Sequence, residues 1–100
     1  MNIILVCSSG MSTSLLVRKM IAEGKSRGLK ELYILACSID ELEGRIDQFD
    51  VVLIGPQLRY RENEVAELTN PRNKKCAVID LMSYGMMNGK KVLDQALALL

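Results

Sequence analysis

Four short runs, NIILV (Asn2–Val6), ELYILA (Glu31–Ala36), DVVLI (Asp50–Ile54) and CAVI (Cys76–Ile79), are almost wholly apolar and rich in Val and Ile. A strand with one face in water alternates apolar and polar residues, whereas a continuous apolar run has both faces covered. Runs of this kind, separated by segments of helical spacing, restrict the chain to parallel strands joined by right-handed crossovers, with helices on both faces.

The intervening segments supply those helices. Leu16 with Met20, and Val17 with Ile21, recur at four-residue spacing, and Gly28 stands where a left-handed residue ends a helix. Ser38 and Glu41 have capping-box spacing at the head of SIDELEGRI. Leu58, Arg61, Val65 and Leu68 share one face of a third helix, Arg61 lending only its stem, and Pro71 bars its continuation. Val92, Leu93, Ala96, Leu97 and Leu100 predict an amphipathic C-terminal helix. No repeat, low-complexity tract or linker interrupts this order. The expected fold is α/β: a single domain over residues 1–100, with one doubly wound four-stranded parallel sheet in order 2-1-3-4 and helices on both faces. Such sheets bind ligands beyond the carboxyl ends of their strands, where the strand order reverses. Cys7 follows the first strand directly.

Composition narrows the chemistry. Lys and Arg total 13 against 12 Asp and Glu, a net charge of +1, so nothing attracts the chain to nucleic acid or to a membrane surface. No apolar run is long enough to cross a bilayer, and Ile3–Val6 is too short for a signal-peptide core and has no basic residue before it. These features predict a cytoplasmic protein with no direct membrane insertion. The three cysteines are widely spaced and form neither a disulfide framework nor a zinc pattern. The chain has no histidine, which removes the commonest general base and metal ligand. No metal and no cofactor are expected.

The segment CSSGMSTS, Cys7–Ser14, concentrates what chemistry there is. It runs from the end of a strand into the start of a helix, whose first N–H groups lack internal partners and attract negative charge. Gly10 allows the backbone to curl, and successive amides then face one centre and make an anion-binding concavity. Ser8, Ser9, Ser12, Thr13 and Ser14 add hydroxyl donors, although Ser12–Ser14 are equally natural helix caps. Cys7 would lie at the mouth of a ring of amides from Gly10 to Ser14, open to solvent, where the helix start favours its thiolate. A thiolate beside a phosphate cradle points to a phosphocysteine intermediate. The alternative is an inert buried cysteine followed by a Ser-rich turn.

Hydrolysis of that intermediate is disfavoured. Cysteine phosphatases carry Cys-x5-Arg, and here the sixth residue after Cys7 is Thr13. Their Asp-Pro acid is missing too, since the only X-Pro pairs are Gly55-Pro56 and Asn70-Pro71. No loop acid or histidine could position water. The competing readings are a low-molecular-weight cysteine phosphatase-like enzyme and a non-catalytic regulatory module that binds a phosphorylated partner.

These segments resemble the enzyme IIB component of the lactose/cellobiose/chitobiose branch of the bacterial phosphoenolpyruvate-dependent sugar phosphotransferase system. The resemblance rests on IILVCSSGMSTSLLVRKM, on DVVLIGPQLRY with Gly55, Pro56, Gln57 and Tyr60, and on CAVIDLMSYG with Asp80, Tyr84 and Gly85. It implies that Cys7 is the catalytic residue and that Ser8, Ser9, Gly10, Met11, Ser12, Thr13 and Ser14 bind phosphate. It further implies a phosphoryl donor, the phosphohistidine of enzyme IIA, and an acceptor, a β-glucoside-type disaccharide imported through membrane enzyme IIC. The protein would then associate peripherally with IIC. Cellobiose, chitobiose and lactose all remain open.

The other candidates have plainer readings beside functional ones. Cys37 is expected to end the second strand beside Cys7, as a core residue or a redox partner. Cys76 should lie at the far edge without a chemical role. Gly55-Pro56-Gln57 is a helix-start turn or a wall of the site. Tyr60 and Tyr84 are expected as packing residues with bonded hydroxyls, and Gln57 and Tyr84 as candidate site neighbours. The methionines are expected mostly as core filler, with Met11 a docking contact if exposed, and no apolar stripe is left over for an interface. Arg18, Lys19, Arg59 and Arg61 read as a solvated face or as contacts to an acidic partner.

Overall fold

The computed structural model describes residues 1–8 and 11–100, leaving aside the side chains of residues 11 and 12. Four parallel strands, β1 (Asn2–Cys7), β2 (Tyr33–Ser38), β3 (Val51–Ile54) and β4 (Lys75–Val78), form one sheet in the order β2-β1-β3-β4. Five α-helices are described: α1 (Met11–Ser26), α2 (Ile39–Arg45), α3 (Glu62–Thr69), α4 (Leu81–Gly85) and α5 (Gly89–Leu97).

Alternation along the strands assigns their side chains to two separate cores. Ile3 and Leu5 of β1, with Val51 and Leu53 of β3, face Leu16 and Met20 of α1 and Val92, Leu93 and Ala96 of α5. Ile4 and Val6, with Val52 and Ile54, face Leu42, Ile46, Phe49, Leu58 and Val65 on the other side. Every residue of β3 is fully buried, which is why DVVLI carries no alternation.

Local signals close the helices as expected. Gly28 takes φ +75°, the Leu29 N–H donates to the Gly24 carbonyl (2.9 Å) and the Gly28 N–H to that of Lys25 (3.0 Å). This paired arrangement is the Schellman ending, and it satisfies the last carbonyls of α1. At α2, Glu41 Oε1 accepts from both the backbone N–H (3.2 Å) and the hydroxyl (3.0 Å) of Ser38. Those bonds hold the Glu41 carboxyl below its ordinary range.

The fourth strand runs Lys75–Val78 and the last helix ends at Leu97, short of Leu100, and larger differences from the sequence expectation lie in the second strand, the third helical segment and the stretch after β4. The second strand begins at Tyr33, because Glu31 has φ +60°, which no strand residue adopts. The third helical segment is not one α-helix. Pro56–Arg61 is a 3₁₀ stretch in which the Leu58 N–H donates to the Gly55 carbonyl (2.9 Å), and Leu58 itself is non-helical (φ −108°, ψ 17°). The tighter i→i+3 turn brings Leu58 under the sheet immediately after β3. Helix α4 has no counterpart in the sequence expectation: Asp80 Oδ2 accepts from the Ser83 N–H and hydroxyl (both 2.9 Å) and caps a helix too short to show periodicity.

Candidate phosphoryl site at the carboxyl edge of the sheet

Strand β1 lies between β2 and β3, so the strand order reverses at its carboxyl end, and Cys7 is its last residue. Alternation turns the Cys7 side chain toward the α1 and α5 face, like Leu5 two residues earlier. Helix α1 starts four residues later, at Met11, and its first-turn N–H groups have no carbonyl one turn back within the helix.

Cys7 is not open to solvent as expected. It is 6% exposed, and its Sγ donates weakly to the Cys37 carbonyl at 3.7 Å. As a paired strand residue, registered against Ser38, it is drawn below the rim of the sheet. Of the expected phosphate-binding residues, Ser8 and Ser14 are exposed and Thr13 is buried. Ser9 and Gly10, together with the side chains of residues 11 and 12, fall outside the described residues. So does the full ring of amides expected from Gly10 to Ser14.

Thr13 does not present a free hydroxyl. Its Oγ1 lies 3.0 Å from the hydroxyl of Tyr84, and the two residues are 2% and 8% exposed. The expected neighbours Gln57 and Tyr84 come together with Pro56, Arg59 and Leu81 around an open hollow of about 370 Å³. Gly55 lies against the backbone of Cys7 and directly precedes Pro56 of the hollow. Its N–H donates to the Val6 carbonyl (2.8 Å), and a Cβ there would stand 3.8 Å from Cys7 Cα.

Cys37 is not the last residue of β2, and its side chain does not face Cys7. It pairs with Val6 and lies in the opposite core, among Ile4, Leu42 and Ile46. The strand pleat therefore separates the two thiols, and a disulfide between them would require backbone movement. Burial, with a smaller push from Glu41, raises the Cys37 thiol to about 11. Cys76 is half-buried in β4, at the far edge of the sheet.

The surface around the hollow also corrects the sequence expectation. Tyr60 is 77% exposed rather than packed. Leu81, Met82 and Met86 are 67%, 71% and 69% exposed, so α4 and its exit carry an apolar patch beside the hollow. The run LMSYGMM is apolar enough for a core, and its composition alone does not separate a buried segment from an exposed patch. Arg59 lines the hollow, while Arg61 is engaged by Glu64 at 2.7 Å. Among the described residues, no group of His, Cys, Asp and Glu converges to hold a metal ion, and no helix is long and apolar enough to cross a membrane.

The order β2-β1-β3-β4 with helices on both faces defines a small doubly wound α/β protein, with a thiol at the carboxyl edge of its sheet. A family model described as "PTS system, Lactose/Cellobiose specific IIB subunit" matches residues 2–95, and the chain belongs to this family. It is 45% identical over 99 residues to the oligo-β-mannoside-specific EIIB component of the phosphotransferase system of Bacillus subtilis (strain 168), covering 99% of this chain and 95% of that one. The solution structure of a cellobiose-specific phosphotransferase IIB component from Borrelia burgdorferi superposes with a TM-score of 0.81 at 40% identity, covering 99% of this chain and 90% of that one. A lactose-specific IIB domain from Streptococcus pneumoniae has the same fold, with a TM-score of 0.87 at 12% identity, covering 99% of this chain and 96% of that one. The chain is thus a phosphotransferase subunit of the lactose/cellobiose IIB type, a class that works with IIA and IIC partners.

Proposed function

We propose that Cys7 carries the phosphoryl group. The thiolate attacks the phosphorus of a phosphohistidine on enzyme IIA; the S–P bond forms as the N–P bond breaks, and the imidazole nitrogen leaves and takes up a proton. In the second step a sugar hydroxyl held by membrane enzyme IIC attacks, an O–P bond forms, the S–P bond breaks and the hydroxyl proton is released. The observation that carries this reading is the position of Cys7 at the topological switch point, directly before the start of α1. The exposed hydroxyls of Ser8 and Ser14 and the first amides of α1 are the donors proposed for the phosphoryl oxygens. The sugar is a β-linked disaccharide or oligosaccharide, in keeping with the cellobiose and oligo-β-mannoside specificities named for the relatives.

The thiol is only 6% exposed, which runs against the open site expected from the sequence, so transfer on this reading requires a docked partner to uncover Sγ. The test is mass spectrometry of the chain after incubation with phosphoenolpyruvate and the upstream carriers, with Cys7→Ser alongside. The expected result is one phosphoryl group on Cys7 in the native chain and none in the variant. An unmodified native chain would favour a regulatory module, and turnover of an aryl phosphate would favour a phosphatase.

A further inference from the structure

Most buried hydroxyls in helices are satisfied locally. Thr69, fully buried in α3, donates to the Ala66 carbonyl one turn back (3.3 Å). Thr13 is the third residue of α1, and the residues one turn before it precede the helix. Its hydroxyl pairs instead with Tyr84, 71 residues downstream. Val and Phe would fill the same two volumes, so packing alone requires neither hydroxyl. What the pair adds is direction: it ties the first turn of α1 to α4.

Helix α4 is itself anchored. Asp80 caps it, the Asp80 N–H donates to Gln95 Oε1 (3.0 Å), and Gln95 Nε2 donates to the Val78 carbonyl at the end of β4 (2.7 Å). A line of hydrogen bonds thus runs from the carboxyl end of β4 through α5 and α4 to the first turn of α1, six residues beyond Cys7. The Tyr84 ring at the same time lines the hollow with Gln57 and Arg59.

We infer that Tyr84 is a positioning residue for phosphoryl transfer: its hydroxyl holds Thr13, and through it the opening turn of α1, against the thiol. The inference rests on the phosphocysteine reading above. Each hydroxyl matters only through the other. Tyr84 acts on Thr13 and does not itself touch the phosphoryl group.

The test is a double-mutant cycle with Tyr84→Phe, Thr13→Val and the double variant. Transfer from the phosphorylated IIA donor to Cys7 is followed by mass spectrometry across donor concentrations. Removing either hydroxyl strands its partner in a buried site, and each single variant should melt lower than the native chain. The double variant strands nothing and should melt near it. Its maximal transfer rate should nevertheless fall about tenfold, the scale of one hydrogen bond, with the donor concentration at half-rate changing less than about twofold. It should be no slower than the slower single variant. Thr13→Ser, which keeps the hydroxyl, should retain the native rate. A stable double variant with native transfer, or singles whose losses multiply in the double, overturns the inference and leaves Cys7 as carrier intact. A native chain that takes no phosphoryl group overturns both.

Discussion

Gly89→Ala tests the close approach that sets α1 against α5. A Cβ built on Gly89 would stand 2.7 Å from the backbone carbon of Lys19, 2.8 Å from its Cβ and 2.9 Å from its carbonyl oxygen. Carbon contacts relax near ~3.5–4.0 Å, so the helices must part by about 1 Å. That separation would loosen Val92, Leu93 and Ala96 of α5, all fully buried against the α1 side of the sheet. Overpacking of this kind costs about 1–3 kcal/mol. Helix propensity acts in the opposite direction, since alanine exceeds glycine by ~0.5–1 kcal/mol in a helix. Sterics win, for a net loss of roughly 1–2 kcal/mol, or a fall in melting temperature of about 4–15 °C for a domain of this size. Gly44 is the control: it lies inside α2 with nothing within 4 Å of an added Cβ, so Gly44→Ala should gain a few tenths to ~1 kcal/mol. Thermal melts followed by circular dichroism read both variants. If Gly89→Ala melts at or above the native temperature, the α1–α5 contact does not depend on glycine and the steric reasoning fails.

Cys7→Ser should abolish phosphoryl transfer, because a hydroxyl without an adjacent base is a poor nucleophile, while changing stability by under about 1 kcal/mol in a urea titration. In a labelling time course with limiting iodoacetamide, phosphorylation by the IIA donor should protect Cys7 completely and leave Cys76 unaffected; continued alkylation of Cys7 would move the phosphoryl group elsewhere. Cys37 should introduce an alkaline loss of stability. Its thiol is raised from 9.0 to about 11 in the folded chain, so between those pH values the unfolded chain releases a proton that the folded chain keeps. Stability from this group is intact below pH 9 and falls as pH rises toward 11, by up to ~2 kcal/mol. Urea midpoints against pH should be flatter in Cys37→Ala; parallel curves would show that the thiol is not held protonated.

The sheet was legible because its signals are local and redundant. Ile3–Val6 and Val51–Ile54 are apolar throughout, the composition of a strand covered on both faces. Gly28 and the Ser38–Glu41 pair act within a few residues of themselves, so their roles follow from spacing alone. The alternation of strands with helices led to the 2-1-3-4 order, and that order placed Cys7 at the switch point. Only tertiary structure decided what surrounds the thiol. The pleat sends Cys37 to the opposite core although its strand lies beside that of Cys7, because adjacent strand residues point to opposite faces and the register pairs Cys37 with Val6. Helix α4 is too short for periodicity, and its exposed Leu81 and Met82 are apolar residues whose outward placement no pattern encodes. The Thr13–Tyr84 bond joins residues 71 apart. A hydroxyl carries no mark of its partner in the sequence: which group satisfies it depends on which elements the packing of the whole chain brings within 3 Å.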